Sequence, residues 1–300
     1  MWLSNLTLRK RGLLSIYPMM CQALFRRRIF MNGIADFLYS LSTPLMGFLI
    51  VSVFVVAALL GLLLVRRRIY GRCRISDATD DAVGGLFSGI GVLFGILLGL
   101  VAVSTWNNFD EVERIVSQEV GAIKAFYQNV EALQEPARKQ LKAHTQAYIE
   151  AIVGVEWPSY LRGEIPIEGN SALDRLFQVL SGYQPSTLNE HVMFMQSMAA
   201  FNRMQELRQV RVDAVTDEAI PEVFWAVMLI SAGLSIFTTY FFHLPSFFAH
   251  LTLVGIFSAL IGCMFFLVVA IDHPFRGGVR VLPDKYDAIL TSIYTPHAAP

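Results

Sequence analysis

The chain has 300 residues, of which 54% are hydrophobic and only 16% are charged, whereas about 25% of residues are charged in an average soluble protein. The 24 basic residues balance the 24 acidic ones, so the overall charge gives no argument for nucleic acid as a partner. The cysteines show neither the spacing of a disulfide framework nor that of a structural zinc site; they are Cys21, Cys73 and Cys263.

The N-terminal segment is basic. Residues 1–35 contain no Asp or Glu but six Arg or Lys residues. The segment lacks the continuous apolar core and the small-residue cleavage site of a signal peptide. Three interpretations stay open: a targeting or surface-binding arm, a disordered basic tail, or translation from a start codon upstream of a true start at Met31. We assign this arm no function.

Four uncharged apolar stretches follow, two on each side of a charged segment. They cover residues 45–65 and 82–109, and two further spans between Glu222 and Asp272 that Pro245 divides. Each reaches the roughly 20 residues that a helix needs to cross a bilayer of about 30 Å. Because water cannot satisfy backbone groups in lipid, we predict helices rather than strands.

This pattern divides the chain into five parts. They are a basic arm and lead-in (1–44), a transmembrane hairpin (45–106), a helical extramembrane domain (107–220), a second hairpin (221–272) and a C-terminal tail (273–300). The short loop 66–74 within the first hairpin contains five arginines, and such loops stay in the cytoplasm. We therefore predict that the extramembrane domain lies outside the cytoplasm, although the basic arm, if it is translated, favours the opposite orientation.

The extramembrane domain has the pattern of helices. Apolar side chains recur at three- and four-residue spacing from Val112 to Leu133, which predicts a long helix continuous with span two. Ser171 is predicted to cap a short helix, and Ser186 or Thr187 a longer one that runs to about residue 215 and into span three. The fold class is therefore all-α: a polytopic membrane protein with four transmembrane helices and a helical-bundle insert between spans two and three.

Residues for catalysis are not indicated by any motif. No hydrolase, metalloprotease, P-loop or dinucleotide fingerprint occurs in a suitable context, and the six histidines are far apart in sequence. Glu119 and Glu131 are interpreted as solvated charges that pair with Lys124 or Arg114. We predict no enzyme activity, no cofactor and no metal site.

Span two carries the strongest pattern. Small residues leave one face nearly bare, at Gly84, Ser88, Gly91, Gly95 and Gly99. Such a face lets helix backbones touch, so it predicts tight packing within the bundle or between subunits. A second, compatible interpretation is a pore-lining helix whose apolar side chains form gating rings. The candidates for those rings are Phe87, Ile90, Phe94 and Leu97. No charged residue lies near the middle of any span, which argues against a proton-coupled transporter.

Short motifs around these spans resemble a bacterial membrane family called bestrophin-like. The matching positions run from span two to the tail: Trp106, Glu119, Tyr148, Glu156, Trp157, Pro158, Asp272, Pro274, Phe275 and Gly277. The resemblance covers roughly residues 40–285. It implies a multi-pass protein of the bacterial inner membrane and, through distant similarity to bestrophins, a homo-oligomer, pentameric by analogy, that passes small anions along span two.

Two features depart from the bestrophin pattern. Bestrophins keep the segment between spans two and three in the cytoplasm, whereas the arginine-rich loop predicts the reverse orientation. No acidic cluster suits a calcium clasp, so the resemblance does not carry calcium gating over to this chain. In the tail, Pro274 is predicted to end the last helix and Phe275 to anchor in the lipid headgroup region.

Two classes of function follow. The first is an oligomeric ion channel with the bilayer and small anions as its partners. The second is a membrane-anchored sensory or interaction protein, whose helical domain binds a partner or ligand and relays that event through spans two and three.

Overall fold

The computed structural model describes residues 33, 37–69, 77–166, 168–216, 219–242, 244 and 246–294. Most of the basic arm and the larger part of the arginine-rich loop lie outside the described residues, as does Pro245. Residues 37–40 are helical and belong to a first unit that ends at Ser42, and a second unit begins at Thr43.

The second unit is built from helices, and no strand occurs among the described residues. The all-α prediction is therefore confirmed. In chain order the α-helices are α1 (Thr43–Ile69), α2 (Asp77–Asn129), α3 (Ala137–Ala151), α4 (Trp157–Tyr160), α5 (Glu168–Ser181), α6 (Leu188–Thr216), α7 (Glu222–Thr239), α8 (Phe247–Asp272) and α9 (Asp284–Tyr294). A 3₁₀ turn, Val130–Ala132, follows α2, and a π-helical turn, Ile152–Glu156, joins α3 to α4.

Four helices in the described part of the chain are long and apolar enough to cross a membrane: α1, α2, α7 and α8. The first of these, α1, packs along the last, α8, with the ring centroids of Phe54 and Phe265 4.8 Å apart. A Cβ on Gly262 of α8 would lie 2.9 Å from the Cα of Val51. Glycine at this position therefore lets the two backbones approach closely.

Helix α2 joins the membrane to the extramembrane domain. Its 53 residues extend about 80 Å at 1.5 Å per residue, which confirms that the apolar stripe continues span two. Outside the membrane α2 packs against α6. The core between them includes Val116, Ile123, Phe126, Phe201 and Met204.

The remaining helices close around this pair. Helix α3 packs against α5, and α9 contacts both α2 and α3.

The Thr187 hydroxyl accepts a hydrogen bond from the Glu190 amide at 3.2 Å, so its predicted role as a cap is confirmed. The predicted cap at Ser171 is wrong, because α5 begins earlier, at Glu168, and Ser171 donates to the Glu168 carbonyl within the helix.

The C-terminal tail folds back onto the extramembrane bundle. Phe275 is only 2% exposed, and its ring lies 5.5 Å from that of Trp157 and 5.4 Å from that of Tyr160. The predicted headgroup anchor at Phe275 is therefore wrong, because the ring is buried in protein. Gly277 has φ +78°, a left-handed conformation that favours glycine. The turn lets the Val281 amide donate to the Pro274 carbonyl at 2.8 Å.

Candidate functional site

The membrane part of α2 has one buried side and one open side. Phe94, Leu98 and Val101 are buried against helices of the same chain. On the opposite side, Ile96 is 57% exposed and Val103 is 58% exposed. Positions seven apart lie on the same side of a helix. The open side of α2 within the membrane is thus continuous and apolar.

This arrangement corrects part of the predicted pore ring. Phe94 is 7% exposed, and the Phe87 ring packs against Phe242 and Phe257 at centroid distances of 5.6 and 5.1 Å. Both side chains point into their own chain, so they do not face away from it as a ring around an axis requires. Ile90 and Leu97 are half-buried.

The glycines of the small-residue stripe on α2 have open space beside them within the described part of the chain. A Cβ added at Gly84, Gly91, Gly95 or Gly99 would meet no described atom within 4 Å apart from the nearby backbone of α2 itself. Ser88 is exposed, and its hydroxyl donates to the Gly84 carbonyl at 2.9 Å. The stripe of small residues therefore does not serve packing among the described helices of one chain.

Outside the membrane the open side of α2 becomes polar. Exposed residues follow the register of Ile96 and Val103 along the helix: Asn107, Asp110, Arg114, Gly121 and Gln128. One face of a single helix thus changes from an apolar band to a polar band just after Trp106. Trp106 is 56% exposed and stacks on Phe109 with a centroid distance of 6.3 Å.

The buried side of the same extension holds a network of charges. Arg211 of α6 donates from Nε to Glu119 Oε2 at 2.7 Å and from Nη2 to Glu119 Oε1 at 3.2 Å. Both Arg211 Nη1 and Nη2 reach Glu156 Oε2 at 3.0 Å. Neither Arg211 nor the two glutamates are exposed. The interpretation of Glu119 as a solvated charge is therefore wrong, because α6 covers it.

The pairs predicted for the other glutamate are also wrong. Glu131 pairs with Lys142 of α3, because the 3₁₀ turn places it beside that helix. Arg114 instead pairs with Glu111 on the exposed surface of α2.

A second arginine completes the network. Arg208, one turn before Arg211, donates from Nη2 to Glu156 Oε1 at 2.5 Å and from Nη1 to Asn170 Oδ1 at 2.7 Å. Two carboxylates and two guanidinium groups balance, so the buried cluster has no net formal charge. A Cβ at Gly169 would overlap Glu156 Oε1 and lie 2.6 Å from Arg208 Nη2. Only glycine leaves room for this ion pair.

Tyrosine hydroxyls satisfy the remaining oxygen atoms. Tyr148 and Tyr286 each donate to Glu119 at 2.8 Å. Tyr160 donates to Glu156 Oε2 at 2.9 Å and accepts from Arg211 Nη1 at 2.7 Å. Since these contacts engage all five N–H donors of Arg211, its charge is fully compensated within the protein.

The ionisation of the network follows from its burial and its partners. Burial alone raises the pKa of Glu156, but the nearby Arg211 and Arg208 outweigh burial, so this pKa is lowered. Burial raises the pKa of Tyr148 and of Tyr286, and the Glu119 carboxylate raises both further. Glu156 is therefore charged, and the hydroxyl groups of Tyr148 and Tyr286 are neutral.

The structure brings half of the family-motif residues together. Glu119, Tyr148 and Glu156 belong to the network. Trp157 donates from Nε1 to the Val281 carbonyl at 3.3 Å, and its ring contacts Phe275.

The other motif residues do not belong to this cluster. Pro158 is in the first turn of α4, Asp272 is buried at the end of α8, and Pro274 and Gly277 form the turn after it. Trp106 lies at the change from apolar to polar on α2.

Sequence reasoning missed Arg208, Arg211, Tyr160, Tyr286 and Gly169. One signal was present. Phe201, Met204, Arg208 and Arg211 recur at three- and four-residue spacing, so two arginines occupy an otherwise apolar stripe. A charge at a core position needs a buried partner of opposite sign.

Because the ion pairs are buried, this network stabilises the packing of the helices and is not a site for an external ligand. It joins α2 to α3, α4, α6 and α9. Within the described part of the chain no group of three or more His, Cys, Asp or Glu residues could hold a metal ion.

The fold and the site define a class: an all-α membrane protein with four spans, whose second span continues into an extramembrane bundle. A model of the Bestrophin-like domain matches residues 52–286, most of the chain. The chain belongs to the bestrophin-like family.

Solved structures agree with this assignment at the level of the fold. Two crystal structures of a bacterial bestrophin homologue from Klebsiella pneumoniae, each carrying a single mutation, are similar to the chain. One is 10% identical with a TM-score of 0.61, covering 83% of this chain and 99% of the other. Another is 12% identical with a TM-score of 0.59, covering 81% of this chain and 96% of the other.

A third crystal structure is described as that of a mutated membrane protein. It is 12% identical with a TM-score of 0.57 and covers 82% of this chain and 95% of that one. Identities this low establish the fold alone. No curated protein sequence matches the chain significantly.

Proposed function

We propose that the protein is a subunit of an oligomeric ion channel in the bacterial inner membrane, with α2 lining the pore and small anions as the permeant ions. The proposed assembly is a closed ring of identical subunits, five by analogy with bestrophins. The proposed role is passive conduction and not catalysis.

This proposal rests mainly on the exposed side of α2, which is apolar within the membrane and polar beyond it. Its membrane half presents apolar side chains such as Ile96 and Val103 away from the chain, and its outer half presents polar ones such as Asn107 and Asp110. Apolar constrictions can gate ions by dewetting, and a polar continuation can hold hydrated ions next to them. In a ring, these two bands would form a narrow neck and a wider vestibule.

The stripe of small residues supports assembly around such an axis. Gly91, Gly95 and Gly99 are open within one chain, and they lie beside the proposed pore-facing band rather than on it. Small residues at four-residue spacing let helices of different subunits approach closely. Neighbouring copies of α2 could therefore pack through this stripe while Ile96 and Val103 face the axis.

Membership of the bestrophin-like family supports the choice of anions as the permeant ions. Characterised bestrophins are anion channels, and the chain shares their family and their fold. Fold alone does not establish activity, so the choice of anions rests on the family, whereas the choice of pore-lining residues rests on the exposure of α2.

Halide flux into liposomes that contain the purified full chain tests this proposal. We expect flux above that of protein-free liposomes, reduced when Ile96 is replaced by a larger side chain, as in Ile96→Trp. The matched control is Ile256→Trp on α8, which is exposed in the chain but lies on a different span. Folded oligomers without flux over a range of pH and calcium concentration would contradict the channel and favour the interaction protein.

A further inference from the structure

We infer that Asp110 is a charge-selectivity residue of the pore, whose carboxylate lowers the permeability of anions relative to cations at the polar end of the apolar neck. This inference rests on the proposed channel function and deepens it. It concerns how strongly the pore prefers anions over cations, which the apolar residues of α2 cannot determine.

The position of Asp110 is the first argument. The segment 82–109 has no charged residue, so Asp110 is the first charge that α2 presents after the membrane. Ile96, Val103 and Asp110 are spaced by seven residues, which places them on one side of the helix, and all three are exposed. An ion leaving the apolar band along this side would therefore meet the Asp110 carboxylate first.

The surrounding charges do not cancel this carboxylate. Arg114, one turn away, is in a salt bridge with Glu111, and Lys285 of α9 pairs with Glu113 at 3.1 Å. Asp110 forms no ion pair among the described residues. The group of Asp110, Glu111 and Arg114 thus carries one net negative charge per chain, and a ring would repeat it once per subunit.

The next positive charge of α2 beyond Arg114 is too far away to compensate. It is the exposed Lys124, 14 residues from Asp110 along the helix, or about 21 Å at 1.5 Å per residue. Charges in water are screened beyond about 8 Å at physiological salt. Helix α9, which Lys285 attaches to α2, adds exposed Asp284 and Asp287. Among the positive charges of α2, only Arg114 lies close enough to offset Asp110, and it is already counted in the net charge of the group.

Acidic rings favour cations and basic rings favour anions in channels. A unit charge about 5 Å from a passing ion in water changes the local ion concentration roughly fourfold. Replacing Asp110 with a neutral residue of the same shape removes that effect from every subunit. We therefore expect the ratio of chloride to sodium permeability to rise at least about threefold in Asp110→Asn.

Reversal potentials in planar bilayers, measured under a roughly tenfold NaCl gradient, test this inference. The variants are Asp110→Asn, Asp110→Arg and the control Asp174→Asn, which removes an exposed carboxylate from α5. We expect a shift towards chloride that is larger for Asp110→Arg than for Asp110→Asn and absent in the control. The shift should shrink in about 1 M salt, where the screening length is about 3 Å.

Two results overturn the inference, and they differ from each other. A conducting Asp110→Arg variant with the wild-type permeability ratio would show that Asp110 does not face the ion path, while the channel function stands. Wild-type protein that is folded, oligomeric and without current would overturn the proposed function and this inference with it.

Discussion

Arg211 and Glu119 are 92 residues apart in the chain, yet Arg211 Nε donates to Glu119 Oε2 at 2.7 Å and neither side chain is exposed. Glu119 lies on α2, which continues span two, and Arg211 lies on α6, which leads into span three. The contact therefore fixes the two helices that connect the membrane to the extramembrane bundle. Any movement of α2 at this level has to carry α6 with it or break a buried ion pair.

Arg211→Met should strongly destabilise the bundle. The substitution leaves Glu119 and Glu156 buried with too few partners, and breaking a buried ion pair by removing one side costs about 3–5 kcal/mol. We expect a clear fall in the midpoint of thermal unfolding in detergent. Arg138→Met, which removes an exposed pair with Glu135, is the control and should change the midpoint little. Equal midpoints for the two variants would contradict the role of Arg211.

Gly169→Ala should disrupt the same network through space rather than charge. The new methyl group would overlap Glu156 Oε1 and crowd Arg208, so the ion pair must move or break. We expect a loss of about 1–3 kcal/mol, typical of overpacking, in the free energy of unfolding. Gly154→Ala is the matched control, because a Cβ there meets nothing within 4 Å. If Gly169→Ala unfolds like this control, Gly169 does not approach the ion pair closely.

The lowered pKa of Glu156 predicts acid sensitivity. The folded protein binds this proton less readily than the unfolded chain, in which a glutamate has a pKa of about 4.3. Its stabilising contribution is therefore complete above that value and is lost as pH falls through the folded pKa. We expect an unfolding midpoint that is nearly constant from about pH 5.5 to 7.5 and falls below about pH 4. Glu156→Gln should reduce the fall of the unfolding midpoint at low pH, whereas Asp174→Asn should leave that fall unchanged.

Phe94 and Ile96 should respond differently to truncation. Phe94 is buried in its own chain, so Phe94→Ala should cost about 3–5 kcal/mol through a cavity and leave basal conductance per folded channel unchanged. Ile96 is on the open side of α2, so Ile96→Ala should widen the apolar neck and raise basal conductance with little change in thermal stability. Increased conductance in Phe94→Ala alone would restore the ring first predicted from the sequence.

Gly95→Leu should prevent assembly without unfolding the subunit. Nothing lies within 4 Å of a Cβ at Gly95 in one chain, but a leucine there blocks close contact with a neighbouring helix. We expect a smaller species on size-exclusion chromatography in detergent. Gly233→Leu on α7, also open within the chain, is the control and should assemble normally. A wild-type elution volume for Gly95→Leu would remove the stripe from the interface.

The spans and the continuity of α2 could be predicted from the sequence, because lipid requires long apolar segments and helical periodicity persists past Trp106. The partners of Glu119 could not be predicted from the sequence. A charged residue on a helix is taken to be exposed to solvent unless the helix that covers it is known, and Arg211, on the covering helix, is distant from Glu119 in the chain. The inward direction of Phe94 was equally hidden, since a span that is apolar on every side gives no signal of which side packs inside the subunit.

The central claim, that the open side of α2 lines an ion path, is tested most directly by blocking that path. Ile96→Cys is placed in a protein whose natural cysteines are replaced by serine, and halide flux is measured before and after a charged thiol reagent. Ile256→Cys on α8 serves as the control. The account predicts that the reagent abolishes flux through Ile96→Cys and spares the control. Undiminished flux through fully labelled Ile96→Cys would contradict it.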